Sequence, residues 1–471
     1  NSGVVLLLVC YPPTKAELEE QIIEEVSQES LNWINPIFCI PKKEDHKWRK
    51  IMDCSILNKE LKGEHFLMED VTTLRELIKE KDWAIKIDLQ SAFHHIPVNE
   101  NLKRYLGFQF QERFYQYRAM CFGIKHAPLI FYKTLRPIIQ QIRDKLHLRC
   151  IAYCDDLIFL NKNHLELSHQ AFQIVQTLQQ FGFKISVEKS NLIPTQKFEF
   201  LGWEFNTNSN TLKMTLDRKQ KMIFTINKWI SITLRQKLVK IRWLASVIGK
   251  QNFLRLQIFR RGLHMRQLNR CKSKTSIQRG WNSRIKVWRC CLKELYWWRT
   301  QISNNKQIRL TFALPDVILR TDASKDQWGG TLTILKTGTT EMLNGPWNSN
   351  WKLNSSNQRE IAAILLGVRR IKENYSNLNL QALRIESDNA ASVYNINRGA
   401  AAIALTKMTD RVLEEVEELQ MQISARHISG KQNQIANHLS RLAEAGDYQI
   451  KDECLPEAFF QMRIKPTKDA V

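Results

Sequence analysis

The chain has 471 residues, 43% of them hydrophobic, a formal net charge of +23 and ten cysteines. That length exceeds what a single core supports and suggests about three domains, while the basic balance calls for a polyanionic partner, nucleic acid or an acidic membrane face. The cysteines show no regular spacing and no C-x-x-C pair, which argues against a disulfide framework or a zinc site and suits a reducing compartment.

In chain order, Val4–Cys10 is apolar but far too short to span a bilayer, and it lacks the basic flank of a signal peptide. Glu17–Ser27 is acidic and helix-compatible. Pro36 and Pro41 bracket IFCI, a strand candidate, and the charged run KKEDHKWRK leads into IMDC. Two strands joined by that loop would place Lys42, Lys43, Arg49 and Lys50 at its tip and exit. Val71–Lys81 reads as a helix. WAIKIDL (Trp83–Leu89) reads as a strand with Asp88 at its carboxyl end. Leu106–Tyr117 alternates aromatics as a hairpin does, and Ala127–Leu146 is a long helix candidate. Cys150–Phe159 reads as a hairpin whose tight turn holds Asp155 and Asp156. His164–Phe181 is helical and Gly182 stops it; Ile185, Val187 and Phe198–Phe205 supply further short strands. This order suits an α/β layer.

From Lys213 to Arg309 the chain carries 25 Lys or Arg against two acids, Asp217 and Glu294. That net equals the whole chain's, so the charge is local, as in a nucleic-acid footprint rather than a generally basic surface. Trp281, Trp288, Trp297 and Trp298 have near-helical spacing, which favours core packing over base stacking. A third unit begins near Ile308. VILRTDAS is a strand ending in Asp322, followed by WGG, with GGTLTIL as its hairpin partner; Arg359–Asn374 is an amphipathic helix carrying Glu360; ALRIESD is a strand ending in Asp388. Thr406–Leu419 is helical, ISARHI is a strand, and Asn433–Leu442 begins a last helix. No internal repeat is visible.

A lone pair of acids is usually a solvated surface feature. Here CIAY and LIFL flank the pair, so buried strands hold it, and Asp88 ends another apolar strand. Acids gathered at strand ends repel and resist desolvation; divalent cations offset that. Magnesium takes oxygen ligands and keeps phosphate or water in its octahedron. A pair of such ions clamps the attacking and leaving oxygens of phosphoryl transfer.

The segments INPIFCIPKKEDHKWRKIMDCSILNK, IDLQSAFHHIPV, CFGIKHAP, YCDD, GFKISVEKS and FEFLGWEF occur in this order over about residues 30–205. Together they resemble reverse transcriptases of the retroviral and long-terminal-repeat type. The resemblance implies a right-hand polymerase of fingers, palm and thumb, followed by a ribonuclease H-like α/β domain. It divides the chain into fingers and palm (1–212), a basic thumb and connecting segment (213–307), the nuclease-like domain (308–445) and a tail (446–471) without clear chemistry. It implies that Asp88 and Asp155 hold two magnesium ions, with manganese as a substitute, and that Asp156 supports them. Lys42 and Arg49 would grip the incoming triphosphate. Phe93 would be the aromatic gate against a ribose 2′-hydroxyl. Phe122 and Gly123 would line the nascent pair, Lys189 would assist the leaving pyrophosphate, and Phe200, Leu201, Gly202 and Trp203 would form the primer grip.

Asp322, Glu360 and Asp388 match the Asp–Glu–Asp positions of a ribonuclease H. His427, in HISGKQNQIANHLSR, resembles that family's mobile histidine, with SGKQNQ as a loop that leaves it free. The family's fourth acidic ligand falls at Asn437, an amide that brings no charge. Two readings stay open: reduced cleavage through the remaining acids, or a silent nuclease. The ends of this unit are most similar to nucleases of plant pararetroviruses and retrotransposons, with DIRS-type elements the nearest. The implied partners are an RNA template, a DNA primer, an RNA–DNA hybrid and deoxynucleoside triphosphates, without a membrane. The implied setting is intracellular: cytoplasmic, nuclear or inside virus-like particles, as a mature enzyme or a piece of a polyprotein. A non-catalytic assembly subunit is the competing class. Oligomeric state is left open.

Overall fold

The structure, a computed structural model, describes residues 14–41 and 48–441. Lys42, Lys43, Val4–Cys10 and the tail from 446 lie outside the described residues. The chain divides into two compact units. The first holds the described residues up to Thr215 together with Gln307–Thr311; the second holds Leu216–Lys306 and those from Phe312 on.

In the first unit β1 (Ile23–Val26) pairs antiparallel with β6, described below. This corrects the helix expected over Glu17–Ser27: helix occupies only residues 14–19. Ile23 has a partner in Tyr117, and sheet pairing overrides a weak helical preference. β2 (Ile37–Pro41) and β3 (Trp48–Met52) form a two-stranded ribbon in which Ile40 faces Arg49. Alternation along β3 leaves Arg49 outward and sends Lys50 inward, correcting its expected place at the loop exit. Buried Lys50 meets Glu17 Oε2 at 2.5 Å and lies 4.1 Å above the Phe108 ring. Burial lowers its pKa, and Glu17 opposes that shift.

α1 (Val71–Leu77) starts on Asp70, whose carboxylate accepts from the Thr72 and Thr73 amides. β4 (Trp83–Asp88) follows, then the β5 (Gly107–Phe110) and β6 (Arg113–Tyr117) hairpin. The long helix α2 (Ala127–Leu146) has a Pro in its first turn, where no amide bond is lost. β7 (Arg149–Tyr153), β8 (Asp156–Asn161), α3 (His164–Gln180) and β9 (Asn191–Thr195) complete this layer. Its antiparallel sheet runs β7-β8-β4-β9. Ile85, Ile87, Leu157 and Phe159 are buried in the core beneath it. Of the strands expected at Ile185 and Val187, there is only an isolated bridge from Ile185 to Leu89, and Val187 is exposed. A second sheet follows: β10 (Lys197–Phe200), β11 (Trp203–Asn206) and β12 (Thr211–Met214).

The second unit opens with α4 (Leu216–Leu234), the short strand β13 (Leu238–Lys240) and α5 (Ile241–Phe253). Then come α6 (Arg266–Arg279), β14 (Arg284–Lys286), which pairs with β13, and α7 (Cys291–Asn304). Leu295, Trp298 and Ile302 form the buried stripe of α7. Trp298 is fully buried, Trp297 is half-buried and stacks on His264 at 3.7 Å, and Trp281 is exposed. Glu294 is one of the two acids in the basic block. It accepts the Gln267 and Leu268 amides at the start of α6, where a carboxylate suits the helix dipole. β15 (Ile308–Arg309) returns to the first unit and pairs with β12.

The remaining chain builds a five-stranded sheet, β18-β17-β16-β19-β20, from β16 (Val317–Ala323), β17 (Gln327–Ile334), β18 (Thr339–Pro346), β19 (Ala382–Ser387) and β20 (Gln422–His427). The β16–β19 and β19–β20 pairs are parallel; the others are antiparallel. α8 (Ser356–Asn374), α9 (Ala390–Arg398), α10 (Thr406–Glu418) and α11 (Gln434–Leu439) accompany it. β18 and α9 were not anticipated. Buried Arg260 ties the basic helices to this layer through Asp410 at 2.8 Å and Glu417 at 3.0 Å.

Among the described residues seven cysteines are free thiols, and Cys39 is disulfide-bonded. Among the described residues no helix is long and apolar enough to cross a membrane.

Candidate active sites

The first site grows from strand register. Asp88, last in β4, lies directly opposite Asp156, first in β8. The β7–β8 turn consists of Cys154 and Asp155, so the expected turn is off by one residue: Asp156 already belongs to the ladder, opposite Tyr153. The first turn position needs positive φ to match strand twist. Cys154 supplies it at φ 52°, at a cost of roughly 1 kcal/mol for a side chain with Cβ. The Asp155 carbonyl accepts the Leu89 amide at 3.0 Å, which ties the turn to the end of β4.

The Asp88 backbone is held by two serines absent from the sequence reading. Its amide donates to Ser190 Oγ at 3.0 Å, and its carbonyl accepts from the Ser186 amide at 2.8 Å. GFKISVEKS therefore wraps the end of β4. Burial raises the Asp88 pKa, helped by the charges of Asp155 and Asp156; Lys189 and Lys86 pull it back. Burial also raises Asp155, with Asp156 adding to it, while Arg49 and Lys189 oppose the rise. Arg49 and Lys189 thus both act electrostatically on Asp155, and Lys189 on Asp88 as well. Asp156 is engaged elsewhere: Lys86 Nζ meets its Oδ1 at 2.7 Å. Cys154 stays a protonated thiol, its pKa pushed up to about 11 by burial and then by Asp155 and Asp156.

Arg49 lies 5.4 Å over the Phe122 ring, which in turn sits 4.8 Å from Phe93. Phe93 also meets Phe131 at 5.7 Å, so its rotamer is fixed by packing. Gly123 has φ 123°, and a Cβ there would come within 2.1 Å of the Met52 carbonyl. Only glycine lets this loop approach β3 so closely. In the β10–β11 turn, Leu201 and Gly202 have φ 47° and 74°. Phe200 and Trp203 are buried on either side as anchors, leaving Leu201 and Gly202 as the accessible tip.

The second site is tighter. Asp322 on β16, Glu360 on α8 and Asp388 just after β19 bring carboxylate oxygens within 4.8 Å of one another. Among the described residues, this is the group of three acids that gathers so closely. Glu360 is buried, with Oε2 lacking a hydrogen-bond partner among the described residues. Burial, then Asp322 and Asp388, push its pKa up to about 8. Burial and Asp322 also raise Asp388. An orphaned buried oxygen facing two more carboxylates fits a divalent cation, and this cluster can coordinate one. The first site offers the same oxygen donors in Asp88 and Asp155.

Gly329 faces Asp322 in the β16–β17 register. A Cβ on it would meet the Ser440 nitrogen at 2.4 Å, so the glycine lets the chain after α11 close over the sheet. Ser440 Oγ then donates to Asp322 Oδ2. Asn437 and Asp388 flank Gly430, and the Asn437 amide donates to the Gly430 carbonyl at 3.4 Å. His427 is not on a free loop. It ends β20 opposite Ser387, and its Nε2 lies 3.0 Å from the Asp388 carbonyl. SGKQ forms a tight turn closed by Ser429 and Gln432, which satisfies its own backbone and removes the slack the sequence suggested.

Residues 40–205 match the family model described as reverse transcriptase (RNA-dependent DNA polymerase). Residues 40–205 are thus similar to a reverse transcriptase domain. The chain is homologous to plant pararetrovirus polyproteins. The enzymatic polyprotein of Cauliflower mosaic virus (strain Strasbourg) is 24% identical over 413 residues, covering 85% of this chain and 56% of that protein. The putative enzymatic polyprotein of Cassava vein mosaic virus is 24% identical over 453 residues, covering 91% and 65%. The chain thus spans between half and two thirds of these relatives' length. Among solved structures, the foamy viral protease–reverse transcriptase with double-stranded DNA is similar at a TM-score of 0.53 and 15% identity, covering 89% of this chain and 82% of that one. The foamy viral enzyme with an RNA/DNA hybrid gives 0.51 and 14%, covering 87% and 52%. These likenesses show the fold alone, that of the foamy viral protein, with a five-stranded α/β layer in the second unit.

Proposed function

We propose that this protein is an RNA- and DNA-templated DNA polymerase with linked hydrolysis of the RNA strand of RNA–DNA hybrids. The observation that carries the polymerase reading is the β4–β8 register, which sets Asp88 and the Asp155 turn side by side under Arg49 and Lys189. Magnesium or manganese, bound through Asp88 and Asp155, would acidify the primer 3′-hydroxyl and neutralise phosphate charge. The 3′ oxygen attacks the α-phosphorus, and the bond to the leaving pyrophosphate breaks. Arg49 and Lys189 offset the charge growing on that pyrophosphate, together with Lys42 as the sequence expects. Phe93, fixed against Phe122 and Phe131, excludes a ribose 2′-hydroxyl. Phe122 and Gly123 line the nascent pair, and Leu201 and Gly202 touch the primer between their buried anchors, Phe200 and Trp203.

In the nuclease site Asp322, Glu360 and Asp388 would hold the cation, with the Asn437 amide as a weaker fourth donor. His427, whose Nε2 lies 3.0 Å from the Asp388 carbonyl, would handle a proton near the scissile phosphate. The uncharged Asn437 favours a slow nuclease. A silent one is the second reading. The basic stretch 213–309 supplies phosphate contacts to the duplex, and the DIRS-like affinity rests on the sequence motifs. The test is extension of a labelled primer on RNA and on DNA, with a labelled hybrid in parallel. Asp155→Asn should abolish extension and keep duplex binding; undiminished synthesis would reject the assignment.

A further inference from the structure

Lys86 and Asp156 form an ion pair beside the first carboxylate site. Lys86 stands two residues before Asp88 on β4 and therefore on the same face. Asp156 lies directly opposite Asp88, which makes Lys86 its diagonal cross-strand neighbour. Lys86 Nζ reaches Asp156 Oδ1 at 2.7 Å, with both side chains about three-quarters buried, at 26% and 24% exposure. The ladder thus builds a fixed lysine beside three acids. It cancels the charge of one of them and leaves the other two for a cation.

The geometry points to Lys86 as a positioning residue that reserves Asp156 from metal coordination and defines Asp88 and Asp155 as the ligand pair. This inference deepens the polymerase reading and rests on it. Three free carboxylates at one strand end would draw a cation more strongly and in more than one arrangement. A lysine across the ladder removes one acid and keeps Asp156 in one rotamer beside the turn. An ammonium also has no lone pair to offer a cation, so it cannot enter the coordination shell itself. Asp156 then acts through Lys86 and the backbone of β8, and Asp155 alone projects from the turn.

The experiment uses the full chain carrying Glu360→Gln and Asp388→Asn, so that the second cluster is silenced. Lys86→Met and Lys86→Gln remove the ammonium; Lys86→Arg keeps a cation there. Binding of Mn2+ to the protein with primer–template is read by electron paramagnetic resonance. Extension is read separately as a function of magnesium concentration. Loss of Lys86 should tighten Mn2+ binding at least several-fold while slowing extension about tenfold, and Lys86→Arg should restore both. A merely structural lysine would weaken folding and primer–template binding without tightening Mn2+. Unchanged Mn2+ affinity in both neutral variants overturns the inference. If the unmutated Lys86 protein fails to extend any primer, the polymerase reading falls, and the Mn2+ comparison still judges the pairing.

Discussion

Replacing Glu360 by glutamine should stabilise the protein at neutral pH, increasingly so as pH rises. Its carboxyl is buried against Asp322 and Asp388, and its pKa is pushed from 4.5 to about 8. A raised acid pKa means the folded state holds a proton that the unfolded chain releases. The stability contribution is complete below pH 4.5 and is lost as pH rises through about 8. Each unit of difference is worth about 1.4 kcal/mol. The loss is therefore roughly 1 kcal/mol by pH 5.5, about 3 kcal/mol by pH 7 and about 5 kcal/mol above pH 8. Glutamine keeps the shape and stays neutral, so it escapes this loss. Urea unfolding of both proteins in a chelator at pH 5.5, 7 and 8.5 measures it: the gap should widen from about 1 to about 5 kcal/mol. Magnesium supplies the missing partner, so the original protein should release close to one proton on binding it at pH 7 and far less at pH 9. Parallel stability curves for the two proteins would refute the claim that these acids crowd one another.

Phe93→Ala should raise ribonucleotide incorporation in a steady-state comparison of the two sugars. It should also cost about 3 kcal/mol of stability, because the ring is buried against Phe122 and Phe131. Asn437→Asp should speed metal-dependent cutting of the RNA strand in a labelled hybrid at least tenfold, since it adds the missing charge beside Asp388. Already fast cutting in the original would show the charge to be irrelevant. Gly123→Ala should abolish extension and lower the unfolding midpoint, because a Cβ would come within 2.1 Å of the Met52 carbonyl; near-normal extension would show that the loop can shift. Ser440→Ala should weaken hybrid cutting while leaving primer extension intact, since it removes the hydroxyl held on Asp322.

Local chemistry made much of this protein legible. The apolar runs around Asp88, Asp155 and Asp322 mark strands because period-two burial is written in consecutive residues, and α2 is announced by its apolar stripe and leading proline. The acids at the strand ends stand out because a charge between buried runs needs a reason. What the sequence could not supply was which distant segment meets which. β1 became a strand only because Tyr117 offers it a ladder partner 94 positions away. Lys50 turned inward to Glu17, and Cys154 took the turn position assigned to its neighbour, because register flips faces by single residues. Lys86 was visible all along two places before Asp88; its meaning came from β8, which put Asp156 within 2.7 Å. Ser440 likewise reaches Asp322 only because Gly329 lets the chain close over the sheet. Residue types and spacing fix which chemistry is available along each element. Pairing across the sheet, a contact between residues far apart in the chain, decides which charges are spent on one another and which stay available for a cation.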